Sequence, residues 1–351
     1  MSRFWSSAVH DLEPYVAGEQ PKIAGLVKLN TNENPFGPSP RVIEAIRAAA
    51  GDNLRLYPDP NSLKLRQSIA ACNGVETDQV FVGNGSDEVL AFTFAALLKH
   101  DRPLLYPDIT YSFYKTYARL FDITVEEVPL IDGLAVRIED FDRPCGAIIL
   151  ANPNAPTGIA LPLADIVRLV ESHRNQVVVV DEAYVDFGAV SAATLVKQYD
   201  NLLVVQTFSK SRSLAGLRVG FAIGQRPLIE ALERMKDSFN SYPLDAIAQA
   251  AATAAIEDKD WFEQTRNKIV ANREQLAAEL EKRGFEVLPS KTNFLFARHP
   301  AHQGIDLARA LRERAILVRH FNKPRIADYL RITIGTEQEC HQFLTAIDQI
   351  I

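Results

Sequence analysis

The sequence predicts an α/β protein: a layered domain around a largely parallel sheet, joined to a smaller α+β unit. Three observations predict it. Short apolar, β-branched runs without polar alternation recur through the middle of the chain, at Val80 to Val82, Ala147 to Leu150, Val177 to Val180, Leu202 to Val205 and Val219 to Ile223. Such runs suit strands covered on both faces. Stretches over 87–99, 162–174 and 227–238 separate them, with apolar residues three and four apart, and strands that alternate with helices pack as layers. After about residue 260 the texture changes.

Taken in order, the first 38 residues are Pro- and Asn-rich without clear periodicity, and are expected to wrap onto one of the units. The Ala-rich run from Ala246 to Ile256, interrupted by Gln249 and Thr253, reads as a closely packed helix. A charged amphipathic helix from Trp261 to Arg283 stops at Gly284, glycine being the usual residue just past a helix end. Residues 285–298 then read as two strands, 306–315 as a helix, 330–334 as a strand and the closing residues as a last helix.

Composition narrows the function classes. With 351 residues the chain exceeds one ordinary domain, and 47% hydrophobic against 23% charged residues gives it a core to bury. The net charge is −6, from 38 basic and 44 acidic residues. No basic field is available for a phosphate backbone or an anionic bilayer, so neither nucleic acid nor membrane is expected as a partner. Cys72, Cys145 and Cys340 lie far apart with no C-x-x-C pair, which suggests neither a disulfide framework nor a zinc cluster and fits a reducing, cytoplasmic setting. His299 and His302 are three apart with no neighbouring carboxylate, so no metal is expected. The opening residues lack a signal peptide's continuous apolar stretch, and nothing reaches the ~18 apolar residues of a membrane span.

The chemistry gathers where the apolar runs end. GNGSDE (83–88), NPNAPTG (152–158), DEAY (181–184) and SKSR (209–212) follow predicted strands, and in open α/β sheets ligands bind outside the carboxyl ends of strands. Turn formation alone accounts for Gly, Asn and Pro there, but not for Asp181, Tyr184 and Lys210, ionisable groups set where a buried sheet opens to solvent. Residues 83–87 offer backbone N–H groups and a helix start to an anion, most naturally a phosphate. A dinucleotide fingerprint would need glycine at position 88, where Glu88 stands, and no nucleotide-hydrolase loop or G-x-S-x-G elbow occurs. A nicotinamide dehydrogenase therefore loses its signature. Lys210 follows an apolar run, with Arg218 eight residues on; cations and apolar neighbours disfavour a charged amine, which suits it to Schiff-base formation. Asp181, after four valines, is the natural partner of a cationic ring nitrogen. Glu182, adjacent on the strand, is expected to point the other way. A Schiff-base lysine, an aspartate facing a pyridinium and a phosphate nest describe a pyridoxal phosphate site.

At these residues the chain resembles the fold type I, pyridoxal-phosphate-dependent class I/II aminotransferases, and most closely their histidinol-phosphate branch. The resemblance runs in order through NTNENPFGPSP (30–40), YPDP (57–60), GNGSDE, TYSFY (110–114), NPNAPTG, DEAYVDF (181–187), TFSKSRSLAGLRVGF (207–221), TNFLF (292–296) and LRITIGT (330–336). It implies a three-layer α/β/α large domain over residues 39–255 and a small domain from residues 1–38 plus 256–351. It further implies that Lys210 holds the cofactor and shuttles the proton, that Asp181 pairs with the pyridine nitrogen, and that Tyr184 bonds the ring's 3-oxygen while Tyr111 stacks on its face. Gly85, Ser86, Ser209 and Arg218 would bind the phosphate, with Asp87 in the same loop, and Tyr57 would reach the neighbouring subunit's cofactor in a homodimer. Arg319 and Arg331 would take the substrate's anionic end, with Tyr15 and Asn32 lining the pocket.

The chain departs from many relatives by carrying Ala155 before Pro-Thr-Gly, with Asn154 one position earlier. Either Asn154 takes over the contact to the 3-oxygen or Tyr184 carries it alone. The implied activity is a ping-pong exchange converting imidazole acetol phosphate and glutamate to histidinol phosphate and 2-oxoglutarate. The competing readings are an aromatic amino acid aminotransferase, a phosphothreonine-type decarboxylase and a non-catalytic cofactor-binding protein; retention of Lys210 and the lack of a fused DNA-binding segment count against the last.

Overall fold

The structure, a computed structural model, describes residues 2–10, 12–14, 18–22 and 24–351. Its strands are β1 (Val27–Leu29), β2 (Val80–Asn84), β3 (Leu104–Pro107), β4 (Val125–Val128), β5 (Ala147–Ala151), β6 (Val177–Asp181), β7 (Leu202–Thr207), β8 (Val219–Gly224), β9 (Glu286–Val287), β10 (Phe294–Arg298), β11 (Ile316–His320) and β12 (Tyr329–Thr333). Its helices are α1 (Ser7–His10), α2 (Pro40–Ala49), α3 (Leu63–Asn73), α4 (Gly85–Leu97), α5 (Phe113–Leu120), α6 (Leu163–Ser172), α7 (Arg226–Phe239), α8 (Ala246–Glu257), α9 (Lys259–Lys282), α10 (Gly304–Glu313) and α11 (Glu337–Ile347).

Seven strands form one sheet in the order β2-β8-β7-β6-β5-β3-β4. From β4 to β7 the pairings are parallel, whereas β8 runs antiparallel to both β7 and β2. It follows that β2, β5, β6 and β7 point the same way and deliver their carboxyl ends to one edge. Side chains alternate across the faces of a strand, and here both faces are apolar: Val178 and Val180 join one buried cluster while Val179 joins another. The same division separates Leu202 and Val204 from Leu203 and Val205. Two-sided burial is why these strands read as unbroken apolar runs, each fully buried side chain contributing about 1.5–3 kcal/mol.

Small side chains set the packing of α8. Ala248, Ala251, Ala252 and Ala255 are buried on it, which lets α2 and α3 approach closely. A second, five-stranded sheet has the order β1-β11-β12-β10-β9. In it, β1 lies parallel to β11 with Val27 opposite Ile316, and the other pairings are antiparallel. The segment read as aperiodic thus supplies an edge strand to a sheet made otherwise from the chain's last third. Its apolar face packs on α9 and α11.

Arg273 of α9 links the two sheets. Only 2% exposed, it donates through Nη1 to the carbonyls of Phe187 and Thr292, both at 2.8 Å. Phe187 follows β6 and Thr292 precedes β10, so one guanidinium ties the loop after the central strand to the second sheet. Truncating a buried, hydrogen-bonded cation leaves its acceptors unsatisfied. Arg273→Met is therefore expected to lower stability by about 2–4 kcal/mol in urea denaturation; an unchanged midpoint would mean that the clamp contributes nothing.

Candidate active site

The site begins with a tight turn between β2 and α4. Gly85 has φ +78, and a Cβ there would lie 2.6 Å from Arg218 Nη2. On the neighbouring strand a Cβ at Gly220 would stand 2.2 Å from the Ser86 nitrogen. The left-handed φ calls for glycine at 85 and the facing backbone leaves room only for hydrogen at 220, so the first turn of α4 sits flush against β8. No side chain caps α4 at Asn84, and its first-turn N–H groups are left for an anion.

A cavity of about 290 Å³ opens beside this turn, bounded by Ser86, Tyr111, Asp181, Tyr184, Lys210 and Arg218 among others. Asp181, the last residue of β6, is 4% exposed. Tyr114 Oη donates to its Oδ2 at 2.8 Å and the Ala183 N–H donates to Oδ1 at 3.3 Å. Burial pushes the Asp181 carboxyl up to about 6, with these two donors opposing the rise and the nearby Asp87 charge adding to it. Burial, and then the Asp181 charge, hold the Tyr114 phenol well above its ordinary value, so it remains a donor. Tyr114 was within reach of the sequence reading: it sits three residues after Tyr111 on the same segment, at helical spacing.

Lys210 Nζ lies 3.3 Å from the Thr31 carbonyl and 5.8 Å from the centre of the Tyr184 ring. Asn32 Nδ2 donates to Tyr184 Oη at 3.0 Å, which leaves the phenol its own proton to donate. Asn32 is in turn fixed by Thr333 of β12, whose hydroxyl donates to Asn32 Oδ1 at 2.9 Å and accepts from the Asn32 N–H at 3.0 Å. Tyr184 is thereby oriented from the second sheet.

Arg218 occupies the left-handed region, with φ 53. Its Nη2 donates to Asp87 Oδ2 at 2.6 Å, and Nη1 lies 3.5 Å from Ser209 Oγ. Tyr111 Oη donates to the other Asp87 oxygen at 3.1 Å. Arg319 and Arg331 are register partners on β11 and β12 and line the same cavity as Lys210. Like charges directly opposite on adjacent strands repel, so an anion between them is favoured. Arg331 Nη2 donates to the Asn30 carbonyl at 2.9 Å.

Other expected residues lie elsewhere. Asn154 does not face the cavity as expected: it is buried, Nδ2 donating to the Ile109 carbonyl in the loop after β3 and to Thr157 Oγ1 in its own loop at 2.9 and 3.1 Å, while Oδ1 accepts from Thr110 Oγ1 at 2.8 Å. Its neighbours Pro153 and Ala155 face the cavity instead. Tyr57 is 82% exposed, outside the cavity lining, with its ring stacked on Tyr242 at 4.7 Å. Tyr15 lies outside the described residues. Glu182 faces away from the cavity, accepting from Ser191 Oγ, the Ala192 N–H and Gln206 Nε2 at 2.5, 2.6 and 2.8 Å.

These residues fit pyridoxal 5'-phosphate. Asp181 is a buried carboxylate whose hydrogen-bond donors are both neutral, as a cationic ring nitrogen requires. An uncapped helix start beside Gly85 and Gly220 makes a cradle suited to a phosphate. A primary amine stands in the same cavity.

The aminotransferase class I and II pattern matches residues 24–347. Over all of both chains, the protein is 69% identical to histidinol-phosphate aminotransferase 2 of Rhizobium meliloti and 63% identical to histidinol-phosphate aminotransferase 1 of Bradyrhizobium diazoefficiens. In fold it is similar to the histidinol-phosphate aminotransferase of Sinorhizobium meliloti solved with pyridoxal-5'-phosphate, with a TM-score of 0.88 at 24% identity, covering 100% of this chain and 99% of that one.

Glu182, on the opposite side of the strand end from Asp181, offers a test of its own buried environment. Burial pushes its carboxyl up to about 7 against the pull of Ser191, Ala192 and Gln206. A raised folded value means that the folded state keeps a proton the unfolded chain releases, so stability is lost as pH climbs from about 4.5 through about 7. Glu182→Gln removes that loss. Between pH 5 and 8 the variant's stability is expected to rise relative to the wild type by up to roughly 3 kcal/mol, measured by urea midpoints of the cofactor-free proteins; parallel pH curves would show that Glu182 is ionised throughout.

Proposed function

The chain belongs to the aminotransferase class I and II family, and on that premise we propose that it converts imidazole acetol phosphate and glutamate to histidinol phosphate and 2-oxoglutarate. One observation carries the reading. A single cavity holds an amine, a buried carboxylate and a pair of register-matched guanidiniums, in a chain that aligns end to end with histidinol-phosphate aminotransferases.

Pyridoxal 5'-phosphate, when bound, supplies an aldehyde that condenses with primary amines and a cationic ring that accepts the electron pair released at the substrate carbon. The chain's residues do the rest. Lys210 is the amine that would hold the cofactor's aldehyde and would move the proton at the substrate carbon. Asp181 holds a proton at the ring nitrogen. Tyr184, oriented by Asn32, donates to the ring's 3-oxygen, a role Asn154 is not placed to share. Tyr111 covers the ring face. Gly85, Ser86, Ser209 and Arg218 hold the phosphate, and Asp87 keeps Arg218 in place.

The two half-reactions share one substrate site. Glutamate presents a carboxylate and its partner a phosphate, and the planar fork of Arg319 or Arg331 suits either. Asn32 completes the described pocket. The large domain over residues 39–255 carries the cofactor, and residues 1–38 with 256–351 bring the arginines to it. A homodimer completes the enzyme: Leu54, Leu56, Tyr57 and Phe239 are each more than half exposed, an apolar face that a second copy would cover, with Tyr57 reaching its partner's cofactor phosphate. The cytoplasm is the proposed setting. Among the described residues no helix is long and apolar enough to cross a membrane.

Half-reactions of the holoenzyme, followed by its visible absorbance, test the substrate. Histidinol phosphate is expected to react at least about 100-fold more efficiently than phenylalanine or tyrosine, about 3 kcal/mol of discrimination; comparable efficiencies would replace the narrow reading with an aromatic one. Arg331→Ala is expected to raise KM for glutamate and histidinol phosphate by about tenfold or more with a smaller effect on kcat. An unchanged KM would remove Arg331 from the pocket.

A further inference from the structure

We infer that Tyr114 is a positioning residue for cofactor binding: its hydroxyl fixes the Asp181 carboxylate in its charged form, so that the buried aspartate meets the ring nitrogen as an anion at neutral pH. The inference rests on the proposed pyridoxal phosphate chemistry.

The geometry is unusual for a tyrosine that merely packs. Tyr114 is fully buried, at 0% exposure, and its hydroxyl makes the shorter of the two hydrogen bonds to the Asp181 carboxylate, 2.8 Å against 3.3 Å for the Ala183 N–H. Its ring is locked on several sides: Tyr111 meets it edge-on at 5.6 Å and 89°, Tyr106 at 6.1 Å and 65°, and Phe94 tilts against it at 6.0 Å. A hydroxyl on a ring so confined cannot swing away, and a fixed donor to a carboxylate favours its ionised form.

The charges around Asp181 show why such a donor is needed. Burial and the Asp87 charge both push Asp181 toward its neutral form. Asp87 is largely answered by Arg218, and the remaining groups that face this region are the neutral phenols Tyr111 and Tyr117, with Tyr184 and Lys210 across the cavity. A neutral aspartate could not balance a cationic ring. Tyr114 therefore does from α5, packed against the large sheet, what a basic side chain could not do without competing with the cofactor's own positive charge.

The test is the pH dependence of pyridoxal phosphate capture by the cofactor-free protein, read by absorbance and not by turnover. Affinity should fall on the acid side as Asp181 takes up a proton. In Tyr114→Phe, which keeps the ring and its packing, the midpoint is expected to move up by about one pH unit, the worth of one charged hydrogen bond. Tyr106→Phe, which removes a buried hydroxyl from the same aromatic cluster without touching Asp181, should leave the midpoint in place. In an Asp181→Asn background Tyr114→Phe should shift nothing further. An unmoved midpoint in Tyr114→Phe, or an equal shift in Tyr106→Phe, would overturn the inference while leaving the enzyme reading intact. A wild-type protein that captures no pyridoxal phosphate would overturn the enzyme reading, and this inference with it.

Discussion

The organising constraint of this structure is the cost of keeping a carboxylate at the end of a strand buried on both faces. Asp181 terminates β6, the middle strand of the seven-stranded sheet, and water is excluded there by the same two-sided packing that stabilises the fold. An isolated charge in such a place is unfavourable by several kcal/mol. The neighbourhood answers with neutral donors, Tyr114 and the Ala183 N–H, and reserves the balancing positive charge for a ligand. In the proposed reading a cationic cofactor ring removes that deficit, which would couple binding to stability.

Around that point each sheet has a separate task. The large sheet, by aligning β2, β5, β6 and β7, brings the helix start at Gly85, the Asp181 carboxylate and the loop of Lys210 to one edge. The second sheet supplies the arginines proposed to hold a substrate, Arg319 and Arg331 in register on β11 and β12, and Thr333 two residues on, which orients Asn32 and through it Tyr184. The two sheets therefore meet at Tyr184, which follows β6, accepts from Asn32 and lies edge-on to Phe294 of β10.

Legibility in the sequence followed burial. Strands β5 to β8 announced themselves because residues on both faces are apolar, and α9 because it is long and ends near Gly284. The strands β1, β3, β4 and β11 went unread for particular reasons. Three-residue β1 is too short to show a pattern; β4 carries Glu126 and Glu127, is half exposed and lies at the sheet's edge; β3 ends in a proline. In β11 three buried residues run straight into Arg319 and His320. At the site, Lys210 and Asp181 were legible because ionisable residues at the ends of apolar runs are costly unless used. Arg319 and Arg331 were named only through resemblance, since their opposition across a sheet is a matter of register. The inward turn of Asn154 depends on Thr110, Ile109 and Thr157, and no local pattern signals it.

The pairing of β1 with β11 carries a consequence for biosynthesis. Val27 to Leu29 leave the ribosome early, yet the strand they lie beside is made near the end of translation. The large sheet's strands and their bridging helices, all encoded between them, can pack while the chain is still growing. Thr31 and Asn32, immediately after β1, therefore cannot take their places beside Lys210 and Tyr184 until synthesis is nearly complete. On the proposed reading the cofactor cradle forms first and the wall that carries Arg319 and Arg331 last, so that a chain truncated by premature termination would retain Lys210 without the arginines proposed to select what reaches it.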